Sequence, residues 1–574
     1  MVDDENNSNE ALGEASLLAT VEAALDSNYH RLTLPHPNRT LAIWYLLTVA
    51  EDYQRNLFCC LEEQISEAGI EFQIDRLKYS LRYGLDRIFK ETSDLSKVQV
   101  PRRIVPMIYE RTGCLLFGGM EFIAANQMCS AAHARTVRFI EHGDDIEVVI
   151  YERYHDKGYA ALELMGHQEP DAIDFSGLLF AWMRFPEDHA PAAVEWIANT
   201  IRVRNRLVVY QYQQEHAIQL AQSIPQQSFL IPIEWQFPWG RRAETTLLLN
   251  ALSLRCIYHL VAVHFGAARR GMRGGAEANI CLVLTVEQLV EDLELMSSLS
   301  YETVTKFVRF LTYGHNTQTP DPSLQPLIPL GVGRIGIPCM HFLSSNQERN
   351  LLSLQARVQQ TKFDALSDLF EKEMVARLEA RLRTRWPLLS SNVNLTFDGV
   401  TEEVDLLIAD PESCTLLVCE LRWMLQPGDP REVQNRKRVC WQKVDQLERK
   451  VQWLQLHAFE AIRHVFNVSG DVGNTGSWNV VGVVVIENFG GTRSSKAKLP
   501  IMTSALFELG VLNATSLEQF GEWSQSLVWL PQEGLHFEVK PYETAILGRT
   551  LNSFAMERLQ TRRDYREFVL STIL

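Results

Sequence analysis

The sequence predicts a multidomain α+β protein in which largely helical N-terminal and middle regions precede a C-terminal α/β core. The chain has 574 residues, enough for roughly three domains of ordinary size. Apolar residues recur at three- and four-residue intervals through much of the first 360 residues, which is typical of amphipathic helices. Beyond them, short aliphatic runs bounded by Asp, Pro or Gly alternate with helical segments, which indicates strands between helices.

We expect four segments along the chain. Residues 1–14 are mostly acidic and polar and predict a disordered tail, and residues 15–165 predict a mixed, mostly helical domain. Within that domain, 137–164 predicts two strands with a His-Asp-Lys-Gly turn. Residues 166–345 predict a middle helical domain with a Pro/Gly-rich connection, and 346–574 form the C-terminal domain.

Composition excludes several classes of protein. Hydrophobic residues make up 46% of the chain and charged residues 22%, which excludes wholesale disorder and fibrous proteins. The acidic start and the lack of any run of about 18 apolar residues argue against a signal peptide and a membrane span. The ten cysteines form no Cys-x-x-Cys pair and mostly lie in apolar runs, so we expect reduced thiols in a cytoplasmic protein.

The net charge of −16 excludes a uniformly basic surface but allows a local basic groove. Residues 361–574 contain 24 Lys and Arg against 28 Asp and Glu, a net charge of −4. This leaves −12 to residues 1–360. The C-terminal region is therefore the less acidic part of the chain.

The C-terminal region predicts a helix, three strands, a second helix and a fourth strand. An amphipathic helix begins near residue 361 and ends before Pro387. The three strands that follow are NVNLTF, EVDLLIAD and TLLVCELRW. A long helix over about 431–466 precedes WNVVGVVVIEN, whose nearly uninterrupted apolar character indicates a strand buried on both faces.

Two acidic residues in these strands form the candidate site. Asp405 begins the second strand's apolar run and Glu420 ends that of the third, so antiparallel pairing brings both carboxylates to the same end of the ladder. Buried carboxylates need a partner, and Mg²⁺ is one that activates water and stabilises charge on a phosphodiester. Alternatively, Asp405 terminates a strand or caps a turn, and Glu420 forms a strand-edge ion pair with Arg422.

This arrangement resembles the PD-(D/E)XK, or restriction-endonuclease-like, nuclease superfamily over roughly residues 360–515. The resemblance depends on the order of elements, on Asp405, on Glu420-Leu421-Arg422 at the E-x-K tripeptide, and on Glu371 in the preceding helix. It implies a restriction-endonuclease-like core in which Asp405, Glu420 and Glu371 hold one or two Mg²⁺ or Mn²⁺ ions. The implied activity is metal-dependent hydrolysis of phosphodiester bonds, with DNA as the expected substrate and microbial genome defence or repair as its setting by analogy. Glu371 could equally be a surface residue of a charged helix.

The basic residue of the tripeptide departs from the family pattern, because Arg422 replaces the usual lysine. Arginine keeps the charge and binds phosphate, but its pKa above 12 prevents it from acting as a base. Some members carry the lysine on the following helix, so we rank Lys437 first, Arg422 second and Lys443 third as catalytic residues. The replacement also supports an alternative, an inactive nuclease-fold protein that binds nucleic acid or a protein without cutting.

Two basic clusters are candidate contacts for nucleic-acid phosphates. Arg436 and Arg438 lie near the start of the long helix, and Arg269, Arg270 and Arg273 lie in the glycine-rich segment GAARRGMRGG. Solvated surface is the alternative interpretation of both clusters. We expect the helical region that precedes the core to bind the substrate or a protein partner, or to regulate the core.

Overall fold

The computed structural model describes most of the chain as two compact units. The described residues are 2–59, 67–93, 103–143, 145–150, 157–165, 192–204, 207–224, 226–266, 277–467, 478–493, 499–546, 549–560 and 562–573. The first unit combines Met1–Glu22, Gln127–Pro170 and Ser367–Leu574, and the second combines Ala23–Asn126 and Asp171–Leu366. Each unit thus contains segments that are distant in sequence, whereas the sequence predicts consecutive domains.

Helices predominate before residue 367, as the sequence predicts. They are α1 (Val2–Arg31), α2 (Arg39–Cys59), α3 (Glu67–Glu91), α4 (Pro106–His133), α5 (Lys157–Met165), α6 (Ala192–Thr200), α7 (Gln214–Ser223), α8 (Arg242–Leu260), α9 (Glu277–Ile280), α10 (Val286–Ser297), α11 (Tyr301–Phe310), α12 (Cys339–Leu343), α13 (Gln347–Val358) and α14 (Gln360–Leu366). The strands are β1 (Val137–His142), β2 (Asp145–Ile150), β3 (Arg202–Arg204), β4 (Leu207–Val209), β5 (Leu282–Thr285), β6 (Ile328–Pro329) and β7 (Arg334–Ile337).

The structure differs from the sequence-based expectation at two places in this region. Helix α1 begins at Val2, where composition predicts a disordered tail, because a helix that is already formed and is buried at Val21 and Leu25 is extended at little cost by further turns. The two strands expected over 137–164 are also misplaced: β1 and β2 pair with each other, and α5 replaces the second expected strand. Its four buried residues lie at helical spacing.

One helical stretch in the described part of the chain, Arg242–His264, is long and apolar enough to cross a membrane by length and composition alone. It combines α8 with the start of a π-helical turn, Val261–Gly266. Because 83% of its apolar window is buried inside the protein, packing in a core accounts for its composition.

A five-stranded mixed sheet forms the centre of the first unit. Its strands are β8 (Leu389–Phe397), β9 (Val400–Asp410), β10 (Thr415–Trp423), β11 (Asn479–Glu487) and β12 (Ile501–Thr503). The spatial order is β12-β11-β10-β9-β8, with β8, β9 and β10 antiparallel and β11 parallel to both β10 and β12.

Two helices complete the order of elements that the sequence predicts, namely helix, three strands, helix and strand. They are α15 (Asp368–Leu382), which precedes β8, and α16 (Pro430–Phe466), which connects β10 to β11. The segment predicted as one helix from residue 361 is divided at Ser367 into α14 and α15, and the boundary between the units falls at the same place.

Side chains of β10 alternate between two hydrophobic cores on opposite faces of the sheet. Leu417, Cys419 and Leu421 pack in the core that includes α15, whereas Leu416 and Val418 pack in the core that includes α16. Leu416, Val418 and, by the same alternation, Glu420 therefore face α16. This alternation places the carboxylate at the end of the strand on the side of the long helix.

A second sheet joins residues 137–150 to the C-terminal part of the first unit. The elements after β12 are α17 (Ser504–Asn513), α18 (Leu517–Ser526), β13 (Phe537–Ile546), β14 (Arg549–Arg558) and α19 (Arg562–Ile573). Strand β14 pairs with β13 and, in parallel, with β2, in the order β1-β2-β14-β13. This long-range pairing explains why 127–170 belongs with the C-terminal residues.

Candidate active site

The ladder between β9 and β10 ends at the pair Leu406–Cys419, and an acidic residue lies one position beyond this pair on each strand. Those residues are Asp405 and Glu420. Beyond this point β9 remains paired with β8 and β10 with β11, but no longer with each other. The register therefore brings the two acids to the same end of the ladder, as the sequence predicts.

Asp405 satisfies a backbone group that the end of the ladder leaves without a strand partner. Its Oδ2 atom accepts a hydrogen bond of 2.7 Å from the backbone N–H of Leu421. A buried N–H without an acceptor would be costly, so this contact stabilises the end of the sheet. Asp405 therefore has a structural role besides any chemical one.

Glu420 pairs with two lysines of α16. Lys443 Nζ lies 2.8 Å from Oε2, and Lys450 Nζ contacts Oε1. These lysines are seven residues apart, close to two helical turns, so their side chains emerge from the same face. Lys443 Nζ also lies 3.8 Å from Asp405 Oδ2. We call Asp405, Glu420, Lys443 and Lys450 the acid–lysine cluster.

The acid–lysine cluster has an outer and an inner pair. The side chains of Asp405 and Lys443 are both 18% exposed, whereas those of Glu420 and Lys450 are 1% and 8% exposed. Two carboxylates and two ammonium groups make the cluster formally neutral. The outer pair is thus partly exposed to solvent, and the inner pair is largely shielded from it.

Burial raises the pKa of Asp405 above its ordinary value, and the neighbouring Glu420 carboxylate raises it further against the opposing effects of the Leu421 N–H and the two lysines. Burial acts to lower the pKa of Lys443, but the charge and hydrogen bond of Glu420, with Asp405 and Glu371, raise it overall. Lys443 is consequently protonated at neutral pH. It can neutralise or orient a phosphate, but it cannot serve as a base.

Glu371 and Arg422 pair with each other beside the cluster. Arg422 Nη1 lies 3.0 Å from Glu371 Oε2, and the two side chains are 45% and 31% exposed. Phe370 stacks on Trp423 with a centroid distance of 4.0 Å, which fixes the start of α15 against the end of β10. In the described residues no group of three His, Cys, Asp or Glu side chains is arranged to hold a metal ion.

The remaining predicted site residues lie outside the cluster. Arg436 donates from Nε to the Leu425 carbonyl at 3.1 Å, so it holds the segment between β10 and α16, and Arg438 is exposed. Within the described part of the chain, Asp405 and Glu420 form their ion pairs with Lys443 and Lys450, and Lys437 takes part in none of these pairs. The arginines of the glycine-rich segment, Arg269, Arg270 and Arg273, lie outside the described residues.

Lys450 is the residue of the cluster that sequence reasoning missed. It lies three residues after Leu447 and four before Leu454, so it borders the buried stripe of α16. A lysine in that position is seldom buried without an acidic partner. The spacing was therefore a usable signal.

Comparisons of the chain with models of protein families, with curated proteins and with solved structures find no match. Function is therefore inferred from the cluster itself. Its carboxylates supply the oxygen donors that Mg²⁺ prefers. Both oxygens of Glu420 are paired with lysines, so a cation held by both acids must displace at least one lysine contact. Lys443, the more exposed of the two, is suited to move.

We expect that any divalent cation held by Asp405 binds more weakly as the pH falls through the raised pKa of this residue. Protonation removes the charge that attracts the cation, and the loss begins above the ordinary aspartate value of about 4 because the pKa is raised. Well below that pKa, each pH unit should weaken binding about tenfold. Calorimetric titration with Mn²⁺ across the acidic range measures this, and an affinity that stays flat down to the ordinary value contradicts it.

Proposed function

We propose that the protein is a metal-dependent nuclease with a restriction-endonuclease-like core, acting on DNA. The observation that carries this proposal is the convergence of Asp405, Glu420 and Lys443 at the end of the β9–β10 ladder. The mixed sheet with α15 before it and α16 between β10 and β11 supports the same proposal. One acidic residue from each of two strands and a lysine from a helix form a set suited to phosphodiester hydrolysis.

Asp405, Glu420, Lys443 and Arg422 have distinct proposed roles. Asp405 and Glu420 would hold Mg²⁺ or Mn²⁺, which supplies a polarised water and neutralises charge on the phosphate. Lys443 would contact the scissile phosphate, since it is protonated and partly exposed. Arg422, 45% exposed at the edge of the cluster, would contact a neighbouring phosphate.

A second candidate function is nucleic-acid or protein binding without cleavage. The formal neutrality of the cluster favours it, because Lys443 and Lys450 already balance the two acids. The pairing of Glu371 with Arg422 favours it as well, since this acid is engaged by an arginine. Such a core would retain its fold and a binding surface but hydrolyse nothing.

Incubation of the purified chain with several nucleic acids distinguishes the two functions. Supercoiled plasmid, linear duplex, single-stranded DNA and single-stranded RNA are each treated with Mg²⁺, Mn²⁺ or EDTA. Cleavage that requires the cation supports the nuclease, and cleavage confined to RNA changes the substrate class. Binding to any of them without cleavage supports the second function and contradicts the first.

We expect Lys443→Met to lose far more activity than Lys437→Met. Lys443 contacts Glu420, whereas Lys437 lies six residues earlier on α16. Loss of one group that stabilises the transition state typically costs about 10²–10³-fold in rate. Initial rates of plasmid nicking measure the contrast, with circular dichroism as the control for folding. A larger loss in Lys437→Met would return the catalytic role to the residue ranked first from sequence.

A further inference from the structure

We propose that Lys450 is a built-in competitor of the divalent cation for Glu420 and thereby sets the metal affinity of the site. The inference deepens the proposed function and rests on it in one respect, that Asp405 and Glu420 are the cation's ligands. Lys450 has a positioning role in this proposal, because it acts through Glu420 and does not itself contact a substrate.

Lys450 and Glu420 form the shielded part of the cluster. Their side chains are 8% and 1% exposed, and Lys450 Nζ contacts Glu420 Oε1 directly. Lys450 is flanked on α16 by Leu447 and Leu454, both fully buried. Its ammonium group therefore has little room to leave Glu420 without movement of the helix.

Lys443 differs from Lys450 in this respect. It is 18% exposed, and its four-carbon chain can turn toward water when a cation approaches Glu420 Oε2. Release of Lys443 frees one oxygen, but Lys450 stays at the other. The cation then shares Glu420 with a fixed positive charge.

Two opposite effects on the protein follow from this arrangement. Without a cation, Lys450 offsets the cost of burying the Glu420 charge and so stabilises the fold. With a cation present, the same ammonium repels it at short range in a poorly screened environment. Removal of the Lys450 charge should therefore lower the stability of the metal-free protein and raise its affinity for the metal.

The test compares the full-length protein with Lys450→Met, Lys450→Arg and the control Lys372→Met. Lys372 is an exposed lysine of α15 next to Glu371, so its replacement removes the same charge from the surface near the site. Isothermal titration with MnCl₂ alone measures affinity, and thermal unfolding with and without MnCl₂ measures stability.

We expect Lys450→Met to bind Mn²⁺ at least about tenfold more tightly than the unmodified chain. Its melting temperature without metal should fall, and the rise on adding Mn²⁺ should be larger, because a ligand that binds only the folded state stabilises it by an amount that grows with the logarithm of its affinity. Lys450→Arg keeps the charge and should retain the weaker affinity. Lys372→Met should stay within about twofold of the unmodified chain.

Equal or weaker Mn²⁺ binding by Lys450→Met overturns the inference. If that variant does not fold, Lys450→Gln, which can still donate a hydrogen bond to Glu420, replaces it with the same expected gain. Tighter binding by the variant in a chain that cleaves nothing upholds the competitor and refutes the nuclease. Cleavage by the unmodified chain without a gain in the variant refutes the competitor and upholds the nuclease.

Discussion

Asp405→Asn is expected to lower the rate of cation-dependent cleavage by about 10³-fold or more. The melting temperature at neutral pH is expected to stay equal or to rise. The amide is uncharged and a poor cation ligand, so the proposed metal site is lost. Its oxygen can still accept the hydrogen bond from the Leu421 N–H, so the end of the sheet is preserved.

The sign of the stability change follows from the raised pKa of Asp405. Burial and Glu420 disfavour the ionised form in the folded state, so the folded chain binds more protons than the unfolded chain between the unfolded and folded pKa values. Stability falls as the pH rises through that window, and the ionised carboxylate is unfavourable above it. Asparagine removes this cost at neutral pH.

Plasmid cleavage and thermal unfolding, measured on the same preparation, test the prediction for Asp405. Thermal unfolding repeated at successively lower pH provides the control, since the gain in stability over the unmodified chain should shrink as Asp405 becomes protonated in the folded state. Retained cleavage would remove Asp405 from the proposed site. A clear loss of stability at neutral pH would mean that the ionised carboxylate is primarily structural.

Glu420→Gln is expected to abolish cleavage and, unlike the change at Asp405, to destabilise the fold strongly. It leaves Lys443 and Lys450 facing a neutral amide, and Lys450 is almost fully buried. Removal of one partner of a buried ion pair typically costs about 3–5 kcal/mol, because the remaining charge is uncompensated. Urea unfolding at neutral pH measures the free energy of unfolding.

Glu402→Gln is the matched control for Glu420→Gln. Glu402 lies on β9 and pairs with Arg449 of α16 at 2.9 Å, but Arg449 is 63% exposed. Loss of that pair should cost about 0–1 kcal/mol. The double variant Glu420→Gln, Lys450→Met should recover part of the stability that Glu420→Gln loses. Similar losses in the two single Glu→Gln variants would contradict the buried-pair interpretation.

Local sequence patterns were enough to predict the order of helices and strands in the core and the placement of the two acids opposite each other. Alternation with a period of two defines the strands, and the four-residue turn between β9 and β10 constrains their register. The opposition of Asp405 and Glu420 follows directly, because residue numbers across an antiparallel hairpin have a constant sum. Neither result needs any contact that is distant in sequence.

The choice among the lysines could not be made in the same way. At about 100° per residue, Lys437 lies on one flank of the apolar stripe of α16, and Lys443 and Lys450 lie on the other. The sequence defines the stripe but not which flank faces the ends of β9 and β10. Packing of α16 on the sheet decides this, and it selects Lys443 and Lys450.

The sequence by itself therefore determined the general α+β class, the order of helix, three strands, helix and strand between residues 361 and 487, and the placement of two acids at one end of a strand pair. Only the tertiary structure decided which lysines pair with those acids and that Glu371 pairs with Arg422. It also decided the parallel pairing of β2 with β14, which joins distant segments in one unit. The physical reason is the distance along the sequence over which each kind of interaction acts. Periodicity and turn chemistry act over a few residues, whereas the rotation of a docked helix and the partner of a sheet edge depend on packing of the whole unit.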